Sequence, residues 1–226
     1  MAPRCVFLVE EGPRSMARRY IVVITFERDA LTGRAYGNVP VVAKPPGTAA
    51  PSVIWGFALP GETRLMWDET SYGLYATHAS PEPGRPIHID AEAYPAVPCQ
   101  LYRFDGARLC RLQPSMSARG RYELTNSAPS SVTAGLTQPR SINGETLRVP
   151  LNAIVLPTGL NAEFAPAPRI YVWLAPAAAP GTVVRRIPEN VTIVSLDENR
   201  TCLSLRYDSG TSSFVEGPCP PLGADG

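Results

Sequence analysis

Residues 20–59 read YIVVITFERDALTGRAYGNVPVVAKPPGTAAPSVIWGFAL, and this stretch decides the fold prediction. Its apolar runs, YIVVITF, VPVVAK and SVIWGFAL, are separated by segments rich in Gly, Pro and polar residues. Short apolar runs with this punctuation are typical of β-strands joined by turns and loops. With the segment that ends in Arg34-Ala35-Tyr36 counted as well, the stretch holds four strand candidates and no helix.

The same punctuation continues through the whole chain, which has 18 glycines and 25 prolines in 226 residues. Disordered chains combine such a composition with few apolar residues, but here 44% of the residues are hydrophobic. A chain of this length can also bury a large core, as one large β domain or two small ones. We therefore expect an all-β fold with long ordered loops.

The layout of residues 20–59 recurs, with insertions, over residues 64–104 and 121–174. Three four-stranded units cannot each bury a hydrophobic face alone, but together they can close a barrel that leaves no unpaired sheet edges. The recurrence predicts a β-trefoil domain over residues 20–176. The spacing between units is uneven, so the recurrence could be a chance match among short strands. A β-sandwich therefore stays open as the alternative fold.

Two segments flank the predicted trefoil. Residues 1–19 form an N-terminal segment, and residues 177–226 are predicted as a linker, a β-hairpin and a tail. The hairpin is predicted between VTIVSL at residues 191–196 and CLSLRYD at residues 202–208. A twelve-stranded trefoil has no place for it, so it is either an extra hairpin on the barrel or a sign that the unit boundaries are wrong.

Charge and hydropathy bear on partners and location. The net charge of +1 gives no sign of a nucleic acid or an anionic membrane as partner. No stretch approaches the ~20 apolar residues of a membrane helix. The first apolar run, residues 5–9, is short and is followed by Glu10 and Glu11, so no signal peptide is evident. We expect a cytoplasmic or non-classically secreted protein.

The cysteines are widely spaced and odd in number: Cys5, Cys99, Cys110, Cys202 and Cys219. With no C-x-x-C pair and only two histidines, we expect neither a structural zinc site nor another metal or cofactor. In an oxidising compartment either Cys202 with Cys219 or Cys99 with Cys110 could pair. The sequence leaves both pairings open.

Catalytic motifs are missing from the sequence. It contains no G-x-S-x-G, no H-E-x-x-H and no Gly-rich phosphate loop. A Cys–His nucleophile pair would need Cys99 or Cys110 beside His78 or His88, and no spacing places them together. We therefore expect a binding protein rather than an enzyme.

Two loops of the first unit are the candidate binding segments. Residues 45–51 form an uncharged loop with proline at both ends, and residues 26–36 form a second loop in which Gly33 lets the backbone approach a partner. A rigid loop loses little conformational entropy on binding. Such loops suit a wedge that enters a protease cleft, although they could equally be connections kept rigid for stability.

The stretches YIVVI, AYGN, VPVVAKPPG and SVIW resemble the first unit of the mycocypins, mushroom β-trefoil inhibitors of papain-like cysteine proteases. In that family two loops of the first unit occlude the protease active site. The resemblance implies a defence protein with a papain-like cysteine protease as its partner. It implies these contact residues: Asp29, Ala30, Leu31, Thr32, Gly33, Arg34, Pro45, Pro46, Gly47, Thr48, Ala49 and Ala50.

The resemblance does not extend to the family's second activity. Its asparagine loop directed at legumain would fall at residues 68–72, which read DETSY and contain no asparagine. For the papain-directed loop, the sequence predicts that Gly47→Glu weakens inhibition and leaves thermal stability nearly unchanged.

Two other functions stay open. A carbohydrate-binding trefoil that takes glycans usually carries Q-x-W in each unit, but only Gln100 matches in part, and it lacks the tryptophan. A structural β-sandwich subunit would use its strands for assembly rather than for a ligand.

Overall fold

The computed structural model of the chain describes residues 18–27, 37–47, 49–114 and 120–221. These residues form seventeen β-strands and no helix, so the predicted all-β class is confirmed. Nothing in the described ranges has the length and hydropathy of a helix that crosses a membrane.

The first nine strands in chain order are β1 (Arg19–Phe26), β2 (Asn38–Ala43), β3 (Gly56–Phe57), β4 (Gly61–Asp68), β5 (Gly73–Thr77), β6 (Ala91–Ala93), β7 (Gln100–Phe104), β8 (Leu109–Pro114) and β9 (Tyr122–Asn126). The remaining strands are β10 (Val132–Ile142), β11 (Glu145–Pro150), β12 (Ile154–Leu156), β13 (Asn161–Phe164), β14 (Arg169–Pro176), β15 (Thr192–Ser195), β16 (Cys202–Asp208) and β17 (Ser213–Gly217).

The largest sheet has nine strands in the order β17-β16-β1-β4-β10-β5-β6, with β11 and β12 also paired to β10. β1 pairs antiparallel with β4 from Arg19 to Phe26 and parallel with β16. β10 is eleven residues long and pairs with four strands, because its first half meets β5 and β12 and its second half meets β4 and β11. β1 and β10 therefore hold this sheet together.

Two four-stranded sheets complete the fold, in the orders β13-β9-β7-β8 and β15-β14-β2-β3. In the first of them β7 and β9 are parallel. In the second, β14 pairs along the whole of β2, with Pro176 opposite Asn38 and Tyr171 opposite Ala43. This second sheet places the end of β2 beside the largest sheet, where the candidate site lies.

All three sheets contribute to one hydrophobic core. The core runs from Tyr20 and Trp55 to Phe104, Val172 and Phe214, all of them buried. β1 supplies it from alternate positions, and Val23 on its other face is buried too, so β1 is covered on both sides as its uninterrupted apolar run indicates. The core therefore joins residues that are far apart in the sequence.

The strand pairings do not reproduce the predicted units. β1 lies in the largest sheet and pairs with β4, whereas β2 and β3, from the same predicted unit, lie in another sheet. The pairings of β1 with β4 and of β14 with β2 join strands of different predicted units, whereas β10 and β11 pair within the third unit, so three equivalent units are not evident. What the structure establishes is an all-β fold of three sheets.

The predicted C-terminal hairpin is corrected in its strands and its place. β15, from VTIVSL, pairs with β14, whereas β16, from CLSLRYD, forms its hairpin with β17. β16 also pairs in parallel with β1, which puts Leu203 and Leu205 into the core. The hairpin therefore extends the largest sheet, because the long apolar edge of β1 is a better partner for β16 than short β15.

A disulfide joins Cys202, at the start of β16, to Cys219, two residues after β17. It is one of the two pairings that the sequence left open. The bond closes the β16–β17 hairpin across a separation of 17 residues. By loop-closure entropy a disulfide of this span stabilises by about 3 kcal/mol.

Candidate functional site

The first predicted binding loop cannot be placed. Its candidate residues, Asp29, Ala30, Leu31, Thr32, Gly33 and Arg34, lie outside the described residues, as does Thr48 of the second loop. Pro45, Pro46, Gly47, Ala49 and Ala50 are described.

The second loop is held at both ends and open at its tip. Pro45 and Pro51 are buried, residues 46–47 are half-buried, and Ala49 and Ala50 are exposed. Beyond Pro51 the chain goes straight into the core. Among the described residues of this loop, the small uncharged side chains of Ala49 and Ala50 are therefore the ones offered to a partner.

Gly47 bends the loop against a neighbouring segment. Its φ is +60°, and a Cβ there would lie 3.6 Å from the carbonyl oxygen of Ala165. This left-handed conformation costs a non-glycine residue about 1–2 kcal/mol. Gly47→Glu would therefore lower stability as well as any binding, which corrects the expectation that stability would stay nearly unchanged.

Lys44, immediately before this loop, is the only lysine of the chain, and its side chain is 1% exposed. Its Nζ donates hydrogen bonds to Glu69 Oε2 at 2.9 Å, to the Tyr72 hydroxyl at 2.6 Å and to Gln138 Oε1 at 2.9 Å. A buried ammonium needs such partners to offset its lost hydration. All three donor positions of Lys44 are used.

Three aromatic rings surround the same ammonium. Nζ lies 5.9 Å from the ring centroid of Trp55, 5.5 Å from that of Trp67 and 4.9 Å from that of Tyr72. Cation–π attraction at these distances is strongest in desolvated sites. We call Lys44, Glu69, Tyr72 and Gln138, together with Trp55 and Trp67, the Lys44 cluster.

The other polar atoms of the Lys44 cluster are also paired. Glu69 accepts hydrogen bonds from Trp67 Nε1 at 3.0 Å and from the Tyr72 hydroxyl at 2.6 Å. Gln138 Nε2 donates to the carbonyl oxygen of Asp68 at 2.9 Å. The network thereby joins the end of β2, the β4–β5 turn and the middle of β10, so three segments are fixed at one point.

Burial controls the proton affinity of this site. Desolvation lowers the pKa of Lys44 to about 8, although the facing Glu69 carboxylate opposes the shift. Desolvation, followed by the Glu69 charge, raises the pKa of Tyr72 well above its usual range. Lys44 can therefore supply a neutral amine under mildly basic conditions, which a guanidinium does not do.

The Lys44 cluster is closed to large external molecules. Lys44 is fully buried, and the Glu69 side chain, 19% exposed, is the part that reaches solvent. The DETSY turn, where the family's second loop would fall, contributes Glu69 and Tyr72 to the interior. This arrangement suits fixing the base of the 45–51 loop, or a reaction among the cluster's own groups.

The sequence pattern alone does not indicate the Lys44 cluster. Lysine is among the residues least often buried, so the sequence gives no reason to expect Lys44 in the interior. One signal was available, because the chain has 21 Lys and Arg residues together and Lys44 is the only lysine among them. The use of lysine at this one position, directly before a predicted binding loop, indicates that Lys44 has a specific structural or chemical role.

The histidines considered for catalysis lie elsewhere. His78 is exposed and its Nε2 lies 2.8 Å from the carbonyl oxygen of Gly106, and His88 is exposed as well. The described part of the chain brings no three His, Cys, Asp or Glu side chains together in a geometry that could hold a metal ion.

A scan against models of known protein families finds no match to this chain, and searches of curated proteins and of solved structures find none either.

Proposed function

We propose that this chain is a protease-binding protein that inserts the tip of its 45–51 loop into the active-site cleft of a papain-like cysteine protease. The supporting observation is the loop's construction, with buried ends, a tip of Ala49 and Ala50, and the Lys44 cluster at its base. The sequence resemblance supplies the target class and the second contact loop, residues 29–34.

The physical support is preorganisation. Ordering a flexible loop on binding costs about 0.5–1.5 kcal/mol for each immobilised rotamer-rich side chain. The tip sequence Gly47-Thr48-Ala49-Ala50 contains no long, rotamer-rich side chain, and two buried prolines and a hydrogen-bonded lysine hold the ends of the loop. Its small size and lack of charge let it enter a narrow cleft without leaving a charge unpaired.

This proposal needs a rigid all-β scaffold and does not require threefold symmetry. The trefoil arrangement stays a prediction, because the strands pair as three sheets rather than as three equivalent units.

The direct test is a titration of papain with the purified chain, with trypsin in parallel. We expect stoichiometric inhibition of papain and none of trypsin. Full papain activity at a large excess of the chain would contradict the proposal. Glycan-array binding without inhibition would favour a lectin, and a mass that rises with concentration in light scattering would favour an assembly subunit.

Ala49→Glu tests the loop itself. A charged side chain at the tip should weaken papain inhibition at least about tenfold, or about 1.4 kcal/mol, with an unchanged melting temperature because Ala49 is exposed. The matched control is Ala107→Glu, an exposed alanine in the turn between β7 and β8, which belong to a different sheet from β2. Equal inhibition by both variants would remove the loop from the interface.

A further inference from the structure

The choice of lysine at position 44 points to amine chemistry. Lys44 is the one lysine in the sequence, and every other position with a lysine or arginine holds arginine, including the half-buried Arg103. Arginine would supply charge and more hydrogen bonds, but it cannot be deprotonated in proteins. Lysine can become a neutral nucleophile, and burial lowers its pKa to about 8.

The acyl group that this amine can reach is inside the protein. Because Lys44 is buried, its reaction partner has to be a neighbour, and the carboxamide of Gln138 is hydrogen-bonded to it at 2.9 Å through Oε1. The carbonyl carbon is one bond beyond that oxygen. Gln138 Nε2 is held by the carbonyl oxygen of Asp68, which fixes the amide plane. Such fixed proximity replaces a large part of the entropic barrier to reaction.

A proton acceptor is also in place. Glu69 Oε2 lies 2.9 Å from Lys44 Nζ, within the distance required of a general base. Trp67 Nε1 and the Tyr72 hydroxyl hold this carboxylate by hydrogen bonds. Amine, amide and carboxylate thus meet in a site from which water is largely excluded, where charge interactions are strong.

We propose that Lys44 and Gln138 react with each other to form an intramolecular amide bond, with Glu69 carrying the proton. The lone pair of Lys44 Nζ forms a bond to Gln138 Cδ while one Nζ proton passes to Glu69 Oε2. The Cδ–Nε2 bond then breaks, and Nε2 takes the proton from Glu69 and leaves as ammonia. An amine and a primary amide become a secondary amide and ammonia, with no oxidant or co-reactant.

The bond would join two sheets covalently. Lys44 follows β2 and Gln138 lies in β10, at a sequence separation of 94 residues. It would also lock the base of the 45–51 loop, but it does not depend on protease binding and can be tested without a protease.

The test is mass spectrometry of the purified chain after reduction of its disulfide. We measure the intact mass of a fresh sample and of one kept at about pH 9, one unit above the Lys44 pKa. The expected mass is lower than the calculated mass by one ammonia. The full calculated mass in both samples would overturn the proposal. The loss of one water would assign the acyl group to Glu69 and also overturn it.

Peptide mapping locates the bond. An arginine-specific protease releases Lys44 in residues 35–64 and Gln138 in residues 122–140. We expect these two peptides as one linked species, and their recovery as separate peptides would contradict the assignment. The measurement uses the wild-type chain, so it does not depend on whether a variant folds.

Variants assign the proton carrier. Glu69→Gln keeps the side-chain size and removes the base, so we expect the full mass and an amine at Lys44 that labels in the denatured protein. The matched control is Glu163→Gln, an exposed carboxylate on β13 that pairs with Arg121, which should link as the wild type does. Full linkage in Glu69→Gln would exclude Glu69 from the reaction.

Discussion

At the scale of single residues, Lys44 shows how one buried side chain can hold several segments of the chain together. Its Nζ contacts Glu69 and Tyr72 from one turn and Gln138 from a distant strand. The neighbours of Lys44 in the sequence, Ala43 and Pro45, give no sign of this. Burial of a charge is set by what surrounds it in space, so its role emerges only from the folded chain.

The contribution of Asp90 to the stability of the fold should depend on pH. Its Oδ2 accepts hydrogen bonds from the His78 backbone N–H at 2.7 Å and from Thr77 Oγ1 at 3.0 Å. The bond from His78 is the main reason why the pKa of Asp90 lies below its ordinary value of 3.8. A carboxylate with a lowered pKa stabilises the fold above its unfolded pKa, and that contribution disappears as pH falls through the folded pKa.

We therefore expect Asp90→Asn to have a lower melting temperature than the wild type at pH 7. The gap should be largest above the ordinary pKa of 3.8 and should close as the pH falls through the lower pKa of Asp90 in the folded protein. Thermal unfolding of the two proteins across this range measures it. A constant gap at every pH would mean that the charge of Asp90 plays no part.

At the scale of elements, β16 is the strand whose predicted pairing differs most from the pairing in the structure. Its alternation of buried Leu203, Leu205 and Tyr207 with more exposed residues is a clear strand signal, and the strand exists. Its partners are β1 and β17 instead of β15. The turn at residues 197–200 only redirects the chain, with reciprocal backbone hydrogen bonds between Asp197 and Arg200.

Removing the disulfide would measure how much it stabilises the fold through the β16–β17 hairpin. Cys202→Ser should lower the free energy of unfolding by about 3 kcal/mol, because it removes the loop closure between Cys202 and Cys219. Urea unfolding measures this change. As a control, reductant should destabilise the wild type by a similar amount and leave the variant unchanged, and an equal effect of reductant on both would place the redox-sensitive bond elsewhere.

At the scale of the whole molecule, the three sheets share one core that begins at Tyr20 and extends to Phe214. Parallel pairing of β1 with β16 joins the start of the described chain to its end. Strands that are distant in sequence therefore depend on each other for burial, so we expect cooperative unfolding of the described part rather than unfolding in pieces.

Truncation after residue 176 examines this dependence, because the sequence analysis places a domain boundary there. The shortened chain lacks β15, β16 and β17 and so loses Val194, Leu203, Leu205 and Phe214 from the core. We expect it to show no cooperative thermal transition by circular dichroism and poor dispersion in NMR spectra. A sharp transition close to that of the full chain would support an independent domain over residues 20–176.

Local features of the sequence were enough to predict the fold class and many strand positions. YIVVITF became β1, RIYVWLA became most of β14 and CLSLRYD became β16, because apolar runs bounded by Gly, Pro and polar residues favour strands regardless of what they pair with. The exposed tip at Ala49 and Ala50 also agrees with the loop that proline punctuation indicated.

Tertiary structure alone decided which strands pair and which polar groups are buried. The pairing of β1 with β16 and the contact of Lys44 with Gln138 join residues that are far apart in the sequence. Residues 20–59, by contrast, are continuous in the sequence and are divided between two sheets. Backbone hydrogen bonds in a sheet are nearly the same whatever the side chains, so a strand's pattern identifies it as a strand without naming its partner. The partner is selected by how the apolar faces of all the strands pack together in the folded chain.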